Sequence, residues 1–250
     1  MSSVSPILSI EKAFLLIEII CEKGPLGATE LAKLSGLNKT TAYRILSTLL
    51  SLGYIKQDEL TKKYNIALKF LKISSKSLSD TDIIKYAKLH LKALSELTGE
   101  TVHLVERSGN EIIYIDKYEN YTNSVRMVSR VGVSLPMIRT AVGKAIMAKL
   151  SDEETENIWK SSEIIKKTQK TITNFNEFKA ELKKVKENGY ATDIEENEEG
   201  VSCVAAAVCD INGKYKYAIS VSAPSSRMTE ENIKKTGAAV LKTARELSEV

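Results

Sequence analysis

Histidine, cysteine and tryptophan are scarce in this chain: two, three and one among 250 residues. His90 and His103 stand in no His/Cys cluster with zinc spacing, so no metal is expected. Cys21, Cys203 and Cys209 are an odd set whose spacings suggest no disulfide framework. There is no glycine-rich phosphate loop, and no cofactor is expected. No apolar run approaches the roughly 20 residues of a membrane span. The first residues, with Glu11 and Glu18, lack a signal-peptide layout. A cytoplasmic location and no membrane partner are the expectations. One absence is local: no acidic residue lies between Leu31 and Gln57. Such a surface tolerates phosphates, which carboxylates would repel.

That acid-free stretch is well organised. Ala28 to Ser35 reads as a short helix and Gly36-Leu37 as a turn. Asn38 can cap a second helix from Lys39 to Leu52, which Gly53 stops. At about 100° per residue, Ala42, Ile45, Leu46, Leu49 and Leu52 form one stripe. Thr40, Tyr43, Arg44, Ser47 and Ser51 lie opposite. This polar side carries hydroxyls, an aromatic ring and a guanidinium instead of the usual Glu and Lys. Tyr54 to Lys56, a polar turn over 57–62 and Lys63 to Ile66 make a hairpin. The layout is a winged helix-turn-helix, whose partner is double-stranded DNA. Asn38, Lys39, Thr40, Thr41, Tyr43, Arg44 and Ser47 are the expected helix contacts. Lys62 and Lys63 are the expected contacts from the hairpin. Arg44 is the best candidate base reader, because its fork can take guanine in a bidentate way. An ordinary helical hairpin with a polar face is the competing reading, and the following wing weighs against it. Charge agrees with DNA. Residues 1–75 hold ten Lys and Arg against six Asp and Glu, while residues 76–250 hold 26 of each, so the formal +4 lies in the first segment.

An earlier helix spans about Ser9 to Glu22, capped by Ser9, with Ile10, Phe14, Ile17 and Cys21 as its apolar pattern. A helical segment continues from Ala67 to Ser77. The polar break at Ser74 to Asp80 is the expected junction. Beyond it a helix from Asp80 to Leu97 gives way to period-two patterns. Thr101 to Glu106 and Ile112 to Asp116 are strands around the turn Gly109-Asn110, and Ser124 to Val131 is a third candidate. Leu135-Pro136-Met137 reads as a loop, followed by helices at Ala141 to Leu150 and from Ser151. Residues 161–174 read as irregular and Phe175 to Asn188 as a helix. Cys203 to Asp210 and Tyr215 to Ala223 are strands, and Thr229 to Leu247 is the last helix. The second part is thus an antiparallel sheet with helices, an α+β pattern. The expected boundaries are 1–66 for the winged helix-turn-helix, 67–79 for a linker helix and 80–250 for the second domain.

Several of these segments together resemble the IclR family of bacterial transcription regulators. The resemblance rests on Leu34-Ser35-Gly36-Leu37-Asn38-Lys39-Thr40-Thr41-Ala42-Tyr43-Arg44-Ile45-Leu46 and Leu52-Gly53-Tyr54-Ile55 in the first part. In the second it rests on Leu135-Pro136, Thr140-Ala141-Val142-Gly143-Lys144-Ala145, Gly189, Asp193, Glu196, Cys203-Val204-Ala205, Val208 and Asp210. Cys209 stands where an aromatic residue or His is usual. The resemblance implies a GAF-like C-terminal domain binding a small, usually anionic effector. It also implies a homodimer, or a homotetramer, on palindromic operators, most often as a repressor. The family's effector contacts fall on Met127, Leu135, Ala141, Val142, Asp193, Cys203, Ser220 and Ser222. Ser220 and Ser222 are two apart on a strand and face one side. Asp193 is awkward beside an anion and must be protonated, turned away or bonded to a ligand hydroxyl. By composition alone it belongs to a solvated acidic run, Asp193 to Glu199. Ala141 and Val142 are bulkier than the Gly-Ala pair of many relatives.

No catalytic residue is expected. The alternative is a GAF-like thiol enzyme fused to a DNA-binding domain, with Cys203 as nucleophile and His103 as its sole candidate base. The plainer expectation for His103 is a half-buried strand residue.

Overall fold

The computed structural model describes residues 7–79, 82–120 and 129–249. The chain divides into two compact units, Met1–Asp80 and Thr81–Val250. No described helix is long and apolar enough to cross a membrane.

The first unit contains α1 (Leu8–Lys23), α2 (Ala28–Ser35), α3 (Lys39–Ser51), β1 (Ile55–Gln57), β2 (Tyr64–Ile66) and α4 (Lys69–Ser79). Leu16, Ile19 and Ile20 of α1, Leu31 of α2, Leu46 and Leu49 of α3, Ile55 and Tyr64 form its core. The short elements have local causes. Glu30 Oε2 accepts the Gly27 N–H, closing the start of α2. Gly36 ends that helix at φ 68°, in the left-handed region glycine enters without strain. Asn38 Oδ1 accepts the Thr41 N–H at 2.8 Å and starts α3. β1 and β2 pair antiparallel, and Leu26 exchanges two backbone bonds with Tyr64, tying the wing to the start of the motif.

Three expectations fail here. In α1 the stripe Ile10, Phe14 and Cys21 is exposed, and Leu16, Ile19 and Ile20 face the core. The helix carries two apolar stripes, and periodicity alone cannot say which one meets the core. Ser9 lies inside α1, whose N-cap is Ile7 without a side-chain bond. Leu52, placed on the buried stripe of α3, is exposed because the helix ends at Ser51 and Leu52 is its cap.

The second unit contains α5 (Asp82–Thr98), β3 (Thr101–Ser108), β4 (Glu111–Tyr118), β5 (Ser134–Pro136), α6 (Ala141–Met147), α7 (Asp152–Ser161), α8 (Phe175–Asn188), β6 (Ala191–Ile194), β7 (Val201–Cys209), β8 (Tyr215–Pro224) and α9 (Glu230–Ser248). Its strands form one antiparallel sheet in the order β5-β4-β3-β8-β7-β6. Alternation puts Cys203, Ala205 and Ala207 with the α6 and α8 core, and Val204, Ala206 and Val208 on the other face. α5 and α9 pack on each other and against β3 and β7. The result is an α+β unit with helices on both sides of its sheet.

The expected loop at Leu135-Pro136-Met137 is instead strand β5 followed by a turn of 3-10 helix, Met137–Arg139. Pro136 is tolerated because β5 is the sheet edge, where a missing N–H costs no ladder bond. β6 is a strand that the acidic composition of 193–199 concealed. The candidate strand at Ser124 to Val131 lies outside the described residues for positions 124–128, and Ser129 to Val131 belongs to no strand. α6 crosses that 3-10 turn at Gly143. A Cβ there would stand 2.1 Å from the Met137 carbonyl oxygen, so only glycine permits the approach.

Candidate functional site

The first unit presents its polar surface along α3. Lys39, Thr40, Tyr43, Arg44 and Ser47 are exposed, while Ala42, Leu46 and Leu49 are buried. Tyr43 is 60% exposed, far more than packing alone would leave an aromatic ring. Ala28, Thr29, Lys39, Thr40 and Tyr43 surround a shallow depression between α2 and α3. Asn38 is exposed, with its side-chain oxygen engaged as the cap. Thr41 is half-buried and borders, with Arg44, a trench whose other wall is Leu8, Ile10 and Phe14 of α1. Arg44 therefore stands between the polar face and an apolar one.

The wing turn is built around Asp58. Its carboxylate accepts the Leu60 and Thr61 N–H groups and the Thr61 hydroxyl, and these bonds hold it below the usual carboxylate range. Gln57 Nε2 donates to the Lys62 carbonyl, and Lys62 adopts φ 56°. Lys62 and Lys63 are left exposed at the turn.

In the second unit a cavity of about 400 Å³ opens between α6 and the sheet. Leu135, Ala141, Val142, Asp193, Cys203, Ser220 and Ser222 all line it. Met127 lies outside the described residues. Register explains the convergence: Asp193 stands opposite Cys203, Cys203 opposite Ser222, and Ser220 opposite both Ala205 and His103. Leu135, Val133 and Tyr114 add apolar surface, and Thr140, Asn197 and the exposed Arg130 add polar groups.

His103 was missed as a cavity residue. It is fully buried rather than half-buried, and it lines the cavity edge-on to Tyr114. The available signal was its phase: it shares the inward face of β3 with Val105. Its Nε2 lies 2.6 Å from Ser129 Oγ and its Nδ1 3.4 Å from Ser222 Oγ. Burial, aided by the Lys117 charge, lowers its pKa to about 3, so the ring is neutral at pH 7.

The acidic turn after β6 is part of the built wall. Asp193 Oδ1 accepts the Glu196 N–H at 2.7 Å. The Thr168 and Thr171 hydroxyls donate to the Glu195 and Glu196 carbonyls, each at 2.6 Å. Arg139 Nε donates to Asn197 Oδ1, and the buried Lys144 ammonium pairs with Glu196. This network overturns the solvated-surface reading of Asp193, which is 5% exposed. Burial, then the neighbouring Glu196, raises Asp193 to about 7, although Lys144 opposes the shift. The protonated carboxyl is therefore accessible at neutral pH and can donate a hydrogen bond as well as accept one.

Burial and the charge of Asp193 push the Cys203 thiol up to about 12. Its sulfur lies 3.0 Å from Ser222 Oγ. A thiol held protonated beside an imidazole of lowered basicity is a poor nucleophile, so the cavity lends the thiol-enzyme alternative no support. Among the described residues no group of His, Cys, Asp and Glu is placed to hold a metal.

Comparison with known proteins places both units. Residues 9–59 match the IclR helix-turn-helix domain, and residues 75–249 match the bacterial transcriptional regulator IclR C-terminal region. The chain is 35% identical to the HTH-type transcriptional regulator KdgR of Escherichia coli over 96% of its own length and 91% of the relative's. It is 31% identical to the Escherichia coli transcriptional repressor IclR over 96% and 88%. The crystal structure of Thermotoga maritima IclR superposes with a TM-score of 0.74 at 34% identity, covering 97% and 98% of the two chains. With both regions matched in chain order, the protein belongs to the IclR family of HTH-type transcriptional regulators, with a DNA-binding first unit and an effector-binding second one.

Proposed function

We propose that this regulator is a repressor whose effector is a small organic acid or sugar acid, held in the cavity between α6 and the sheet. The observation that carries the reading is convergence. Seven residues from five separate elements, β5, α6, β6, β7 and β8, line one cavity of about 400 Å³. Ser220, Ser222, Thr140 and Asp193 supply hydrogen bonds, Arg130 a positive charge, and Leu135 and Val142 an apolar wall. The raised pKa of Asp193 lessens the objection to an anion nearby, since its neutral form donates to a ligand oxygen.

On the DNA side, Lys39, Thr40, Tyr43, Arg44 and Ser47 enter the major groove, and Lys62 and Lys63 hold the backbone beside it. A homodimer would match two-fold operator symmetry, with half-sites spaced by the helical repeat. An effector acts only by binding the DNA-competent and incompetent arrangements unequally.

The test is a thermal-shift screen against small organic and sugar acids, followed by operator binding with and without the acid that stabilises the protein. Ser222→Phe fills the cavity and should abolish the response while operator binding persists. A response that survives this substitution places the effector elsewhere.

A further inference from the structure

We propose that His103, acting through Ser222, is a specificity-determining residue that lets the cavity answer a keto oxygen on the effector, in place of a hydroxyl, by reversing a chain of hydrogen bonds. The inference rests on the reading of this cavity as an acid-binding site.

Four side chains form the chain across the cavity floor. Ser129 Oγ lies 2.6 Å from His103 Nε2, Ser222 Oγ lies 3.4 Å from His103 Nδ1, and Cys203 Sγ lies 3.0 Å from Ser222 Oγ. All four line the cavity. A neutral imidazole has one N–H and one lone pair, so the position of its proton sets the direction of every link. With the proton on Nε2, His103 donates to Ser129, and Nδ1 accepts the Ser222 hydroxyl. Ser222 then offers only lone pairs to a ligand and suits a ligand hydroxyl. With the proton on Nδ1, Ser129 donates to Nε2 and His103 donates to Ser222. The Ser222 hydrogen is then left to the Cys203 sulfur, a weak acceptor, or to a ligand oxygen. A keto oxygen is the better acceptor and draws that hydrogen away from sulfur. The ligand pays little for the exchange, because only a weak bond is broken. The imidazole is a positioning group here: it never changes charge, and only its tautomer shifts.

Surrounding charges do not undo this. On β4, Lys117 faces the ring and disfavours the imidazolium; it donates to the Ser129 carbonyl at 2.6 Å and also pairs with Glu119. On β6, Asp193 stands beside Cys203, at the far end of the chain from Ser129, and the exposed Glu198 acts on the same thiol; the exposed Arg130 lines the cavity next to Ser129 in sequence.

The protein has two imidazoles, His90 and His103, so the ring nitrogens of nitrogen-15-labelled full-length chain resolve into two sets. Pyruvate and 2-ketogluconate serve as keto acids, and lactate and gluconate as their hydroxyl counterparts. Thermal shifts report binding, and long-range proton–nitrogen spectra report the tautomer. The expected result is a move of His103 toward the Nδ1–H form with the keto acid that binds, and no move in Ser222→Ala. His103→Phe should weaken the keto acid about fivefold more than its hydroxyl counterpart, the scale of one hydrogen bond. His103→Gln, whose amide both donates and accepts, should restore part of the difference. If an acid stabilises the protein while the His103 nitrogens stay unchanged, or both variants weaken keto and hydroxy acids alike, the proposal is overturned and the acid-binding reading survives. If none of the four acids binds wild type, the acid-binding reading falls and this inference falls with it.

Discussion

Lys144 on α6 and Glu196 in the turn after β6 form an ion pair of 2.5 Å, with the lysine side chain wholly buried. Glu181 of α8 adds a second carboxylate at 3.9 Å from the same ammonium. α6, α8 and the turn after β6 thus meet at one charge.

Removing Glu196 leaves the buried Lys144 ammonium with only the more distant Glu181 carboxylate. Glu196→Ala should cost about 3–5 kcal/mol, read as a shift in the denaturation midpoint at constant slope. Replacing both partners together, Lys144→Met with Glu196→Leu, should cost much less, because no charge is then stranded. Equal losses for the single and double variants would mean that the pair is solvated and that packing alone was disturbed.

The same pair shows why part of this wall was illegible in the sequence. A run of acids with no nearby cation reads as surface, and the cation that buries Glu196 lies 52 positions earlier. Only the fold joins them. Asn38, by contrast, caps α3 through a residue three positions on, so its role was readable from spacing. The polar face of α3 was readable for the same reason, because helical period is local. α1 gave the wrong face since both of its stripes satisfy the period. His103 could have been placed by its phase with Val105, yet its partners Ser129 and Ser222 come from distant segments, and no local pattern shows them.

Asp193 makes stability depend on pH. Its folded pKa is about 7, above the ordinary 3.8. Between these values the folded chain holds a proton that the unfolded chain has released, so stability is greatest near the lower end and falls as pH rises through about 7. Asp193→Asn keeps an oxygen for the Glu196 N–H and carries no charge. It should flatten this slope and be more stable than wild type at pH 8 by about 1–4 kcal/mol. Glu196, also raised by burial, contributes a slope of the same sign that the variant retains. Melting temperatures of the two proteins between pH 4 and 9 decide the matter; parallel curves would show that Asp193 does not titrate there.

Arg44 can face either of two partners, and its substitution separates them. If its fork reads a guanine, Arg44→Ala should cost about 1–3 kcal/mol of operator affinity and relax preference at one base pair. Lys62→Ala and Lys63→Ala should instead weaken all sequences alike, each lowering the salt slope by about one. Because Arg44 also borders the trench walled by Leu8, Ile10 and Phe14, its loss could act on self-association. Fluorescence anisotropy on operators randomised at single positions, paired with sedimentation of the free protein, distinguishes the cases. Unchanged base preference with altered sedimentation would remove Arg44 from the groove and assign it to a protein contact, leaving Lys39, Thr40, Tyr43 and Ser47 to read the sequence.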